Sequence, residues 1–62
     1  SLSAHEVDVL RLLNSNLRAP EIAKELFVSV NTVRSHIKSL YRKLDAHSRY
    51  EVVSKAKQLD LL

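Results

Sequence analysis

Val30, Val33, Ile37, Leu40 and Leu44 follow one another at intervals of three, four, three and four residues. That spacing lays one apolar stripe along an α-helix, whereas a strand, with its period of two, would scatter these side chains over both faces. It predicts a helix over 30–44, with Tyr41 beside the stripe. Three other stretches carry the same kind of signal. Ser3-Ala4-His5-Glu6 reads as a capping box ahead of Val7, Val9, Leu10, Leu12 and Leu13, and predicts a helix over 4–14 that stops at the polar Asn14-Ser15-Asn16. Pro20, tolerated in a first turn, precedes Ile22, Ala23, Leu26 and Phe27 and predicts a short helix over 20–27, with Phe27 in the core. Ser48-Arg49-Tyr50-Glu51 is a second capping box before Val52, Val53, Ala56 and Leu59, predicting a helix over 49–59. Leu61 and Leu62 are expected to fold back onto the core. The fold class is therefore all-α: four helices with short connections, one domain over residues 1–62, with no linker or repeat.

Composition narrows what such a domain does. The 62 residues contain no Cys and no Gly, which excludes disulfides, thiolate metal sites and glycine-rich phosphate loops. No apolar run approaches the ~20 residues of a membrane span, and the first residues are not those of a signal peptide. A ~60-residue domain buries only about 60% of its unfolded surface, which leaves little to enclose a dry catalytic pocket. Paired carboxylates and a nucleophile beside a base are also missing, so an enzyme is not expected, and no cofactor is implied. His5, His36 and His47 lack the close spacing of metal ligands. Ser3, Ser29 and Ser48 each stand where a helix wants an N-cap. The chain does not begin with Met, and we expect it to be a piece of a longer protein.

Charge is unevenly distributed. The net +3 resolves into −1 over residues 1–27, +4 over 28–50 and zero over 51–62. The central excess comes from Arg34, Lys38, Arg42, Lys43 and Arg49 against Asp45. A solvated helix face usually mixes signs, because opposite charges at i,i+4 stabilise a helix. The 30–44 segment carries no acid, and Arg34, Lys38 and Arg42 form an i, i+4, i+8 row of like charge. That arrangement points to an anionic partner, and with a pI near 9.6 the partner most often implied is nucleic acid.

A short helix, a sharp break at Val28-Ser29 and a longer basic helix make a helix-turn-helix pattern, in which the second helix enters the DNA major groove. Helices enter with the N-terminal half toward base edges. Arg34 and Lys38 are then the candidates for guanine, Asn31 for adenine, and Ser35 for a base edge or a thymine methyl. Thr32, His36, Arg42, Lys43 and Arg49 are candidates for phosphate contacts, with packing beside the core as the alternative for His36, and Ser29 joins them at the helix N-terminus.

These residues resemble a known family. Glu21-Ile22-Ala23-Lys24-Glu25-Leu26, Ser29-Val30-Asn31-Thr32-Val33-Arg34-Ser35-His36, Lys43-Leu44 and Ser48-Arg49 are similar to the LuxR-type (GerE-like) helix-turn-helix domain, and Leu2-Ser3 with Glu6, Val9, Leu10 and Leu13 match its first helix. The resemblance covers nearly the whole chain. It implies the C-terminal DNA-binding domain of a bacterial transcription regulator, in the cytoplasm on the nucleoid. It further implies an upstream regulatory domain, RNA polymerase as a further partner, and homodimers on inverted-repeat DNA joined through the last helix. For that interface Glu51, Val52, Lys55 and Gln58 are the candidates. The family's base-contacting positions fall on Arg34, Ser35 and Lys38, with Arg42 as a further candidate. The final residues 56–62 are similar to the ends of large ATP-binding regulators of this type, with a response regulator as the alternative. The chain departs from the pattern at Asn16 and Asp45, where Gly is usual, and both are expected to take the left-handed conformation. It departs again at Arg18, where a Ser cap is usual, and a start one residue late is expected for that helix. Two other readings compete: an oligomerisation module working through the last helix, and a promoter-binding domain like region four of a sigma factor.

Overall fold

The structure is a computed structural model that describes residues 2–62; Ser1 lies outside the described residues. Every regular element among them is a helix: α1 (Ala4–Leu13), α2 (Ala19–Leu26), α3 (Val30–Lys43) and α4 (Arg49–Gln58). The four expected helices are present, and their ends differ from expectation by a single residue. Asn14, Phe27, Leu44 and Leu59, counted as helical from their spacing, are the C-caps. Helix α2 starts at Ala19, directly after Arg18, and not late. Pro20 stands inside the first turn, where its missing N–H would have had no helical partner. An Arg side chain has no acceptor to offer as a cap. Glu21 compensates by accepting from the Arg18 N–H at 2.7 Å.

Both boxes were expected to close in the same way, and they do not. At α1, Ser3 Oγ accepts from the Glu6 N–H at 3.2 Å, and Glu6 Oε1 accepts from the Ser3 N–H at 2.8 Å. At α4, Ser48 Oγ accepts from the Glu51 N–H at 3.1 Å, but Glu51 Oε1 reaches one residue further and accepts from His47 N–H at 2.6 Å. That bond ties the 45–48 link to the start of α4.

Helices α1 and α2 both pack on α3, and α4 packs on α1. The core is Val9, Leu10 and Leu13 from α1, Ile22 and Ala23 from α2, Val33 and Leu40 from α3, and Val52 and Ala56 from α4, closed by Leu44 and Ala46. Val30, Ile37 and Tyr41 are half-buried against it, as the stripe predicts. Leu61 and Leu62, expected to fold back onto the core, are exposed, as is Leu59.

Helices α2, α3 and α4 end alike. The residue after the last turn turns left-handed, at Phe27 (φ 58°), Asp45 (φ 51°) and Asp60 (φ 59°). The next N–H then reaches back five residues, Val28 to Ala23, Ala46 to Tyr41 and Leu61 to Ala56, at 2.8–3.1 Å. Such Schellman ends satisfy carbonyls that have no partner within the helix. Phe27, expected in the core, is 95% exposed, because the left-handed turn directs its side chain away from the apolar side of α2. A Cβ in this region is strained, most of all for a bulky residue. Phe27→Gly is therefore expected to raise the unfolding free energy by about 0.5–1 kcal/mol in urea titrations, after the entropic disadvantage of glycine is subtracted. A loss of stability would show that the ring is packed in solution.

Asn16 does not share this geometry and has no positive φ, contrary to expectation. The end of α1 is closed by side chains instead. Ser15 Oγ donates to the Leu12 carbonyl and accepts from the Leu17 N–H at 3.1 Å.

Candidate nucleic-acid interface

The turn between α2 and α3 spans Phe27 to Ser29, and Ser29 is the N-cap of α3. Its Oγ accepts from the Thr32 N–H at 3.1 Å and donates to Thr32 Oγ1 at 2.9 Å. The apolar stripe of α3 faces inward, so its polar arc has two flanks, and the structure separates them sharply.

The first flank is open. Asn31, Arg34, Ser35, Lys38 and Arg42 are all exposed. Arg34, Lys38 and Arg42 follow each other one turn apart along the helix, with Asn31 and Ser35 next to them. All four base-reading candidates, together with Arg42, thus share one face.

The second flank, Thr32, His36, Ser39 and Lys43, is divided: Thr32 is exposed and held by Ser29, and the other three contact α1. His36 is half-buried and stacks on His5, with ring centroids 5.6 Å apart. Ser39 Oγ donates to Glu6 Oε2 at 2.5 Å, and Lys43 Nζ donates to Glu6 Oε1 at 2.8 Å. Glu6 is only 4% exposed. The bond from the Lys43 ammonium, then those from the Ser39 hydroxyl and the Ser3 N–H, hold its carboxyl down at about 2 against the opposing effect of burial. Among the described residues no buried side-chain polar atom lacks a hydrogen-bond partner. The chain without acids in α3 thus finds one acid for it on α1, and Lys43 is matched internally.

Arg49 also arrives with partners. Its Nε donates to the Leu13 carbonyl at 3.0 Å, and its Nη2 donates to the Ser15 and Leu12 carbonyls at 2.7 and 3.4 Å. The Asn14 N–H serves the Leu10 and Arg11 carbonyls, and the guanidinium supplies the last carbonyls of α1 with donors that the backbone does not; a cation there also suits the helix dipole. Arg49→Ala is expected to cost about 1–2 kcal/mol of stability, since it strips several carbonyls of a charged donor. Arg49→Lys should recover little, because an ammonium cannot span them as the fork does. Full rescue by Lys would reduce the clamp to simple charge.

On α4, the dimer candidates separate. Val52 is fully buried in the domain's own core and is not available to a partner, which corrects that expectation. Its apolar character belongs to the inward stripe, and a stripe read without its neighbours does not say which surface it serves. Glu51 and Lys55 are half-buried and bond the 45–47 link, Lys55 Nζ donating to the Asp45 carbonyl. Gln58 is exposed, and so is Tyr50, at 83%.

Among the described residues no three His, Cys, Asp or Glu side chains converge as metal ligands would, and no helix is long and apolar enough to cross a membrane.

Two roles were missed in the sequence. Glu6 was read only as half of a capping box, and its partners lie 33 and 37 residues away. Arg49 was read as a phosphate donor; its position one residue after a cap gave no sign of the carbonyls it holds.

Two short helices braced behind a longer one, with an open cationic face on the last, define a helix-turn-helix DNA-binding domain. The chain belongs to the LuxR family of bacterial regulatory proteins, whose GerE model matches residues 1–56. It is 41% identical over 98% of its length to the HTH-type transcriptional activator RamA of Corynebacterium glutamicum, and 43% identical over 98% to the Fimbriae Z protein of Escherichia coli. It is 41% identical over 94% of its length to the HTH-type transcriptional regulator MalT of Serratia proteamaculans. The chain spans 22%, 29% and 6% of the lengths of these three relatives. This stretch of chain is thus the DNA-binding domain of a transcription-regulator family, which is not a family of enzymes.

Proposed function

We propose that this domain binds double-stranded DNA sequence-specifically, with α3 in the major groove and the Arg34, Lys38, Arg42 row turned to the duplex. The observation that carries the reading is the division of α3: on one polar flank His36, Ser39 and Lys43 are spent on α1, and the other flank is left exposed with three cations and no acid. Arg34 and Lys38 donate to guanine edges, Asn31 pairs with adenine, and Ser35 lies between them. Arg42, Ser29 and Thr32 meet phosphates and fix the register. His36, Lys43 and Arg49 hold α3 and α1 in place first, and add less to phosphate binding than their charge suggests.

The domain works as a dimer on an inverted repeat, paired through the outer side of α4. Tyr50, exposed beside half-buried Val53 and Ser54, favours that side over the buried Val52. A self-complementary two-fold contact suits a palindromic site. In a longer regulator this domain would serve an upstream regulatory domain and act on RNA polymerase, in the cytoplasm on the nucleoid.

Selection of bound sequences from random duplex DNA tests the whole reading. A recurrent half-site, repeated in inverted orientation at a fixed spacing, is expected. Enrichment of no sequence at low salt would overturn it, and enrichment of single half-sites would remove the dimer alone.

A further inference from the structure

Helix α4 packs on α1, and the side chains it buries completely in the core are Val52 and Ala56, both small. Apolar burial of this kind resists separation, but it has no direction, and small side chains interlock little. Hydrogen bonds are directional, and they surround this contact. On one side the Arg49 guanidinium donates to the Leu12, Leu13 and Ser15 carbonyls at the end of α1. On the other, each N–H from Asp45 to His47 is taken. Those of Asp45 and Ala46 donate back to the Arg42 and Tyr41 carbonyls in the last turn of α3, at 3.3 and 2.9 Å. That of His47 donates forward to Glu51 on α4, and the Asp45 carbonyl accepts from Lys55 on the same helix. Arg49, Glu51 and Lys55 are all half-buried, so these bonds are partly shielded from water. The joint between α3 and α4 is thus pinned to α1 by Arg49 and to the end of α3 by Glu51 and Lys55.

We propose that Arg49 and Lys55, with Glu51, are positioning residues that set the length of the spacer between two half-sites, by holding α4 at one angle to α3. This role rests on the pairing through α4 proposed above. In such a dimer the two α3 helices are connected through both copies of α4. The two-fold axis repeats in the partner any turn of α4 against α3, so an angular change counts twice. Along B-DNA one base pair of spacer amounts to about 35° of rotation and about 3.4 Å of rise. A frame held firmly at both joints matches one spacer, whereas a loose frame also accepts its neighbours. None of the three residues lies on the exposed row of α3, so they select the distance between half-sites and leave the bases within them to α3.

Arg49→Met and Lys55→Met keep the apolar stems and remove the donors, each on a different side of the joint. Binding of the intact chain and of both variants is measured on inverted repeats of the selected half-site, with the selected spacer and with spacers one base pair shorter or longer. The wild type is expected to prefer its own spacer by about tenfold or more, since DNA must otherwise be twisted to match the frame. In each variant that preference should fall to about two- to threefold, with the base preference inside the half-site unchanged. Each ratio is taken within one protein, so a loss of affinity or stability common to the three duplexes cancels. Preferences as steep as the wild type's in both variants would overturn the proposal. The angle is also read without DNA. Residual dipolar couplings measured by NMR should fit α3 and α4 to one alignment frame in the wild type and to separate frames in the variants. A common frame in both variants would overturn the positioning as well. If the wild type enriches no sequence, or only single half-sites, the proposed function or its dimer fails, while the couplings still decide whether these bonds hold α4.

Discussion

Replacing Glu6 by Gln lowers the unfolding free energy by about 2–3 kcal/mol, the largest stability effect expected of any polar substitution in this domain. The carboxylate is buried and accepts from Ser3, Ser39 and Lys43, and bonds to a charged group are the strong ones. The cost stays below that of breaking a fully buried pair, because the Lys43 side chain is 38% exposed and water can take over its ammonium. The same bonds set an acid signature. With the carboxyl held at about 2 in the folded chain, against about 4.3 for a free Glu, the folded state binds fewer protons between those values. The contribution is complete above about pH 4.3 and is given up as pH falls toward 2. Subtracting the Gln variant's stability from that of the wild type isolates it from the other carboxylates. A difference that does not shrink over this range would remove the charged bond as its source.

Substituting single cations of α3 should separate reading from holding. Lys38→Ala is expected to weaken specific DNA binding by about 1–3 kcal/mol, or roughly 5- to 150-fold, and to relax preference at one base pair. Arg42→Gln should weaken all sequences alike and reduce the slope of log K against log salt by about 0.9. Lys43→Gln carries the same formal change of charge, yet it should move that slope far less, because Glu6 already occupies the ammonium. Quantitative binding across a salt series checks all three together. Equal slopes for the Arg42 and Lys43 variants would mean that DNA draws Lys43 away from Glu6. Unchanged sequence preference in Lys38→Ala would take Lys38 out of the base-reading set.

The helices were legible because their signals are local. Caps, apolar spacing and stops lie within one or two turns of each other, so each helix was placed to within a residue. The open row of α3 was legible for the same reason, since Arg34, Lys38 and Arg42 mark it on the helix alone. The other flank was not. On an isolated helix His36, Ser39 and Lys43 look as free as Arg34 and Lys38, and only the docking of α1 sets them apart. Its anchors come from the far side of the chain, and spacing carries no trace of them. Phe27 misled for a different reason. It continues the apolar pattern of α2, but the pattern does not tell that the backbone has already turned left-handed there. Val52 shows the limit of a stripe: period gives a face, and only packing says whether core or partner covers it.

The three left-handed turns without glycine have a consequence for how such a domain can change over generations. Phe27, Asp45 and Asp60 each carry a Cβ where none is needed, and none of them belongs to the exposed row of α3. Each is a single substitution away from a more relaxed backbone, and stabilising changes of this kind usually leave function untouched. On the function proposed above, new operator preferences come from trial substitutions at Arg34, Ser35 or Lys38, some of which will weaken a domain this small. A lineage that first acquires glycine at one of these turns gains tolerance for such trials. In that sense the strained turns are unused capacity for acquiring new DNA targets.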